Sequence, residues 1–60
     1  MYELITTKKQ GAIFVDFNDR LDVLEDYYMM RRNEHDTSAV LLIEIIPEIC
    51  EGRIIRSARP

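Results

Sequence analysis

The chain has 60 residues with a single cysteine, Cys50, and a single histidine, His35. A lone thiol excludes an intramolecular disulfide, and one cysteine with one histidine excludes a Cys/His zinc site built within one chain. The lone thiol also fits a reducing compartment. Long hydrophobic runs are missing as well. The longest, "AVLLI", has five residues, far short of the roughly 18 that span a bilayer. The opening "MYELITTKK" lacks the basic-then-apolar pattern of a secretory leader. There is no excess of positive charge: eight Lys and Arg stand against eleven Asp and Glu, a formal net charge of −3. No general electrostatic drive toward nucleic acid or anionic lipid follows from that balance. Starting at Met and carrying no tag or linker, the chain is expected to be a complete small cytoplasmic product.

What is present is globular in character, with 47% hydrophobic and 32% charged residues. A domain of this length buries only about 60% of the surface its unfolded chain exposes. Such chains commonly need a disulfide, a metal or a partner. With the first two excluded, association with another chain is the staple that remains.

Residues 2–9, "YELITTKK", alternate, with Tyr2, Leu4 and Thr6 on one side and Glu3, Ile5 and Thr7 on the other. Their β-branched and aromatic content suits a strand. "KKQGA" supplies Gly11 for a positive φ in a turn. "AIFVDF", 12–17, resumes strand chemistry with Ile13, Val15 and Phe17 on one side, so the two runs predict a hairpin. From Phe17 the period changes: Phe17, Leu21, Leu24 and Tyr28 fall in one narrow arc of a helix, flanked by Val23 and Tyr27. Asn18 is the expected N-cap, Asp19 and Asp22 suit the positive end of the helix, and Arg31 and Arg32 the negative end. Asn33 can end the helix in the left-handed conformation. A helix is predicted over 18–32.

After the polar loop "NEHDTS", residues 39–46 form a strand that Pro47 stops near Ile46. "PEICEG" predicts a turn, with Pro47 opening one turn of helix. "RIIRSA", 53–58, has the composition of a short basic edge strand, with Arg53, Ile55 and Ser57 on one side and Ile54, Arg56 and Ala58 on the other. The order is ββαβ with that short last strand: an α+β fold, one helix on one face of a small antiparallel sheet. The strand after the helix pairs with either the first or the second strand.

One helix covers one face, yet "AVLLIEII" is apolar on both. Leu41, Ile43 and Ile45 are expected under the helix. Val40, Leu42 and Ile46 are then expected on the open face with Phe14. Glu44 among them is expected to sit at a rim or pair with Arg53 or Arg56. An open apolar face of several hundred Å2 marks an interaction surface, and two-fold dimers are the commonest assembly. A homodimer or small oligomer through the sheet, face to face or by its edges, is the expectation. The alternative is that the last strand or the tail folds back over that face.

Catalytic signals are thin. His35 lies between Glu34 and Asp36, but adjacent loop residues point apart and a metal needs three or four converging ligands. Cys50, between Glu48 and Glu51, lacks the electropositive setting of a nucleophile. No catalytic set, cofactor or metal is expected. Asp19, Asp22, Glu25 and Asp26, with Met29, form an acidic helix face suited to solvent or to a basic partner, as in short acidic inhibitors of viral or mobile-element type. Tyr27, Met29 and Met30 resemble an adaptable contact surface. Lys8, Lys9, Arg53, Arg56 and Arg59 supply a modest basic edge without interleaved aromatics. The expected function is a non-enzymatic regulator that self-associates and binds a larger protein. A dimeric nucleic-acid-binding regulator using the basic edge is the alternative.

Overall fold

The computed structural model describes residues 1–59. Strand β1 (Tyr2–Lys8) turns back into β2 (Ile13–Asn18), and helix α1 (Leu21–Arg32) follows. Strand β3 (Thr37–Ile46) leads through one turn of 3-10 helix (Pro47–Ile49) into β4 (Glu51–Ala58). The sheet order is β2-β1-β3-β4 with every neighbouring pair antiparallel. The fold is therefore α+β, a four-stranded antiparallel sheet with one helix packed against it. The strand after the helix pairs with the first strand, not the second. Since β2 and β3 both run antiparallel to β1, α1 joins two strands of like direction across β1.

Local chemistry explains most boundaries. Gly11 takes φ 98° in the hairpin loop, a conformation that costs glycine little. Lys8 N–H donates to the Ala12 carbonyl at 2.8 Å and Gly11 N–H to the Lys8 carbonyl at 2.9 Å. Pro47, with no N–H to give a ladder, ends β3 at Ile46 and opens the short helical turn. Beyond it Cys50 adopts φ 53°, ψ 37°.

The helix starts later than its sequence pattern predicts. Asn18 is the last residue of β2, and Arg20 holds the N-cap position without a side-chain cap. Asn18 Oδ1 instead accepts from Arg20 N–H at 2.8 Å, closing the turn between strand and helix. Phe17 accordingly belongs to the strand. At the other end Asn33 is right-handed (φ −90°, ψ −8°), not left-handed. It holds the helix end by donating from its backbone to the Met30 carbonyl at 3.2 Å and from Nδ2 to the Met29 carbonyl at 2.8 Å.

The core is the cluster Leu4, Leu24, Tyr28, Val40 and Leu42, with Tyr2, Leu21 and Ala58 packed around it. Burying each large side chain contributes about 1.5–3 kcal/mol. This corrects the expected facing of β3: Val40 and Leu42 lie fully buried on the helix side. Leu41, Ile43 and Ile45 are on the opposite, open side, only half-buried. The register ties the assignment together, since Leu4 pairs with both Leu42 and Asp16, and Thr6 with both Val40 and Phe14. Phe14 therefore shares the face of Val40 and Leu42, but that face is the one under the helix.

Candidate interaction surface

The open face of the sheet is built from the odd-numbered positions of β1, β2 and β3. Its cross-strand rows follow from the register. Ile13, Thr7 and Ala39 form one row; Val15, Ile5, Leu41 and Ser57 the next; Phe17, Glu3, Ile43 and Ile54 a third; Ile45 and Gly52 close it. None of the described residues covers this surface: Ile13 is 63% exposed, Phe17 57%, Ile54 61% and Val15 47%. Glu3 is the one charged strand position in these rows. Fold-back of the last strand is corrected too, because β4 lies in the plane of the sheet, paired with β3.

A bulge between Leu42 and Ile43 breaks the alternation of β4. Arg56 pairs with Leu42 and Arg53 with Glu44, so both arginines lie on the helix side, where strict alternation would separate them. Arg53 forms an ion pair with Glu44, one of the two outcomes expected for that acid. Arg56 reaches Glu25 of the helix at 3.7 Å and lies 5.1 Å from the centre of the Tyr28 ring. Glu25 is thus half-buried and engaged within the chain. The remaining acidic positions, Asp19, Asp22 and Asp26, are exposed with Met29. Arg20 hydrogen-bonds Asp22 at 2.7 Å and holds its carboxyl below the usual carboxylate range.

Lys8 does not belong to a basic edge. It sits in central strand β1 and is buried, with Nζ 3.1 Å from Glu34 Oε1, 3.1 Å from Asp36 Oδ1 and 3.2 Å from Thr37 Oγ1. Burial opposes its charge, but the hydrogen bonds to Glu34 and Asp36 outweigh it and raise its pKa above the ordinary lysine value. The bond from Lys8 in turn lowers the pKa of Asp36. Both acids that flank His35 are therefore structural partners of Lys8, while His35 itself is exposed. Among the described residues no group of three or more His, Cys, Asp or Glu side chains is placed to hold a metal ion.

Of the other positions singled out in the sequence, Phe14 is exposed at the β2 edge under the Arg31 guanidinium, 5.9 Å from its ring centre. Ile46 is half-buried at the far end of β3, opposite Glu51. Lys9 and Arg59 are exposed at the two ends of the basic set. The open-face cluster Ile5, Ile13, Val15, Phe17 and Ile54 escaped the sequence reading as a surface. The signal was present in the uniformly apolar side of "IFVDF" set against its polar partner side, Asp16 and Asn18.

Two concavities are lined by these residues. One of about 350 Å3 lies along β3 and β4, bordered by Ala39, Leu41, Ile54, Ser57 and Arg59. The other, about 240 Å3, lies between Lys8, Phe14, Arg31 and Glu34. Among the described residues no helix is long and apolar enough to cross a membrane. No protein-family model, curated protein or solved structure matches the chain.

Proposed function

We propose that the chain is a small non-enzymatic interaction protein that self-associates through the open face of its sheet and acts by binding a larger protein. The observation that carries this reading is the uncovered row pattern of Ile5, Ile13, Val15, Phe17, Leu41, Ile43, Ile45 and Ile54. Four strands about 4.8 Å apart, with about 3.4 Å per residue, give this face an area of roughly 500 Å2. Covering it in two copies removes on the order of 1,000 Å2, the lower limit for a specific interface. A second copy suits it because both sides then contribute the same apolar chemistry, and a two-fold contact is self-complementary. For a chain this short, the added burial is comparable to its total stability.

Association through the sheet leaves the outer helix surface available. Asp19, Asp22 and Asp26 with Met29 then offer two copies of an acidic, methionine-bearing contact to a basic partner protein. Nucleic-acid binding draws less support, because Lys8, Arg53 and Arg56 all hold carboxylates of their own chain. Size-exclusion chromatography with light scattering tests the assembly. A dimer at micromolar concentration is expected, and a monomer with intact secondary structure refutes it. A nucleic-acid probe whose mobility shifts in a salt-dependent way would favour the other reading.

A further inference from the structure

The open face is not uniform. Its β2 edge carries three protruding side chains, Ile13, Val15 and Phe17, all about half exposed or more. Its opposite edge has a hollow at Ser57 of β4, where the 350 Å3 concavity lies, walled by Ile54 and Arg59. The register puts the protruding Val15 and the hollow at Ser57 at the same level along the strands, in one row, and Phe17 and Ile54 in the next.

Resting on the reading of this face as a self-association surface, we propose that two copies pack open face to open face about a two-fold axis running along the strands. β2 of each copy then lies over β4 of the other. An axis in that direction keeps each row facing the same row and exchanges the two edges. Val15 enters the concavity opposite the partner's Ser57, and Phe17 packs against the partner's Ile54. The contact occurs twice, so both Val15 side chains meet low ground and each Phe17 gains an apolar neighbour. An axis across the strands would instead stack β2 on β2 and reverse the rows, setting Val15 against the partner's Phe17. Pairing by strand edges would leave both apolar faces in water. Two sheets joined in this way form an aligned sandwich with about 10 Å between layers, with a helix on each outer side.

Single cysteines test the geometry without deleting the large anchors. Val15→Cys and Ser57→Cys, each in a Cys50→Ser background, are made separately and mixed. A short bifunctional maleimide, long enough for the roughly 10 Å between layers, is expected to join position 15 of one copy to position 57 of the other. Neither variant alone should couple to itself to a comparable extent, because the axis sets the two copies of each position at opposite edges of the contact. Circular dichroism confirms that both variants keep the fold. Phe17→Asp is expected to raise the dimer dissociation constant by more than about tenfold. A light-scattering dimer in which position 15 couples to itself, or in which neither position couples, overturns this arrangement while leaving self-association intact. A folded monomer overturns both.

Discussion

Lys8 Nζ lies 3.1 Å from Asp36 Oδ1, across 28 residues of sequence. The pair clamps the end of β1 to the loop that leads from the helix into β3. Lys9 N–H reinforces it by donating to the Asp36 carbonyl at 2.8 Å. The clamp has a pH signature with two opposite signs. The Asp36 pKa is lowered on folding, so its contribution is present above about pH 3.9, the unfolded value, and is lost as pH falls through the folded one. The Lys8 pKa is raised, so its contribution is complete below about pH 10.4 and fades as pH rises through the folded value. Lys8→Met is expected to lower the melting temperature at pH 7, since it removes the cation that Glu34 and Asp36 share. It should also flatten the loss of stability on acidification. Thermal melts of both proteins between pH 3 and 7 check this; parallel acid limbs would count against the clamp.

The two sides of β3 should respond oppositely to the same change. Leu42 is fully buried under the helix, whereas its neighbour Ile43 faces the open side. Leu42→Ala is expected to cost about 2–5 kcal/mol, a large part of the stability of so small a domain. Ile43→Asn is expected to keep the secondary structure and weaken association. Denaturant melts paired with light scattering separate the two outcomes.

That contrast also locates where the sequence is legible. The order of elements, the hairpin around Gly11, the stop at Pro47 and the inward residues Leu24 and Tyr28 follow from local chemistry and periodicity. The side of the sheet that the helix covers does not. "AVLLIEII" is apolar at both parities, so β3 carries no preference. β2 points the wrong way, because its more apolar side, Ile13, Val15 and Phe17, is the open one. The choice belongs to the crossover between two parallel strands, whose strongly preferred hand comes from strand twist and not from side-chain pattern. Lys8 was illegible for a related reason. Its partners Glu34 and Asp36 come from a loop whose position depends on the finished topology. The Arg53 and Arg56 side of β4 depends on a bulge that alternation cannot anticipate.

Cys50 sits at φ 53°, in the left-handed region that ends the short helical turn after Pro47. A side chain there is strained, and glycine is the residue that fits without cost. Its Sγ makes one long contact, 3.7 Å to the Pro47 carbonyl. Cys50→Gly is therefore expected to stabilise the fold by about 0.5–1 kcal/mol, measured as a rise in the urea midpoint at constant slope. Cys50→Val should do the reverse.

Arg56 joins the last strand to the helix through two weak contacts, a 3.7 Å ion pair with Glu25 and a cation–π contact with Tyr28. The Arg56 and Glu25 side chains are 41% and 42% exposed, so the two contacts together are worth about 0.5–2 kcal/mol. Arg56→Gln is expected to cost that much. Arg56→Lys should recover only part of it, since an ammonium lacks the planar group that stacks on the ring. A double cycle with Glu25→Gln, read from chemical denaturation, measures the ionic share.

Glu3 is the charged position in the apolar rows, half-buried between Phe17 and Ile43. In a single chain its carboxylate reaches water over the open face. In the proposed sandwich it lies over the partner's Ile43, where desolvation opposes the charge unless the side chain turns toward the open end of the strands. The acid then acts against indiscriminate stacking of an otherwise apolar sheet, in the way inward charges protect exposed sheets elsewhere. Glu3→Leu should tighten the dimer, by about tenfold for a desolvation cost near 1.4 kcal/mol, and should promote larger aggregates. Glu3→Gln should tighten it less and leave the assembly discrete. Dissociation constants from dilution series across the three proteins test the order. Equal values would place Glu3 outside the contact and move the two-fold axis away from the third row.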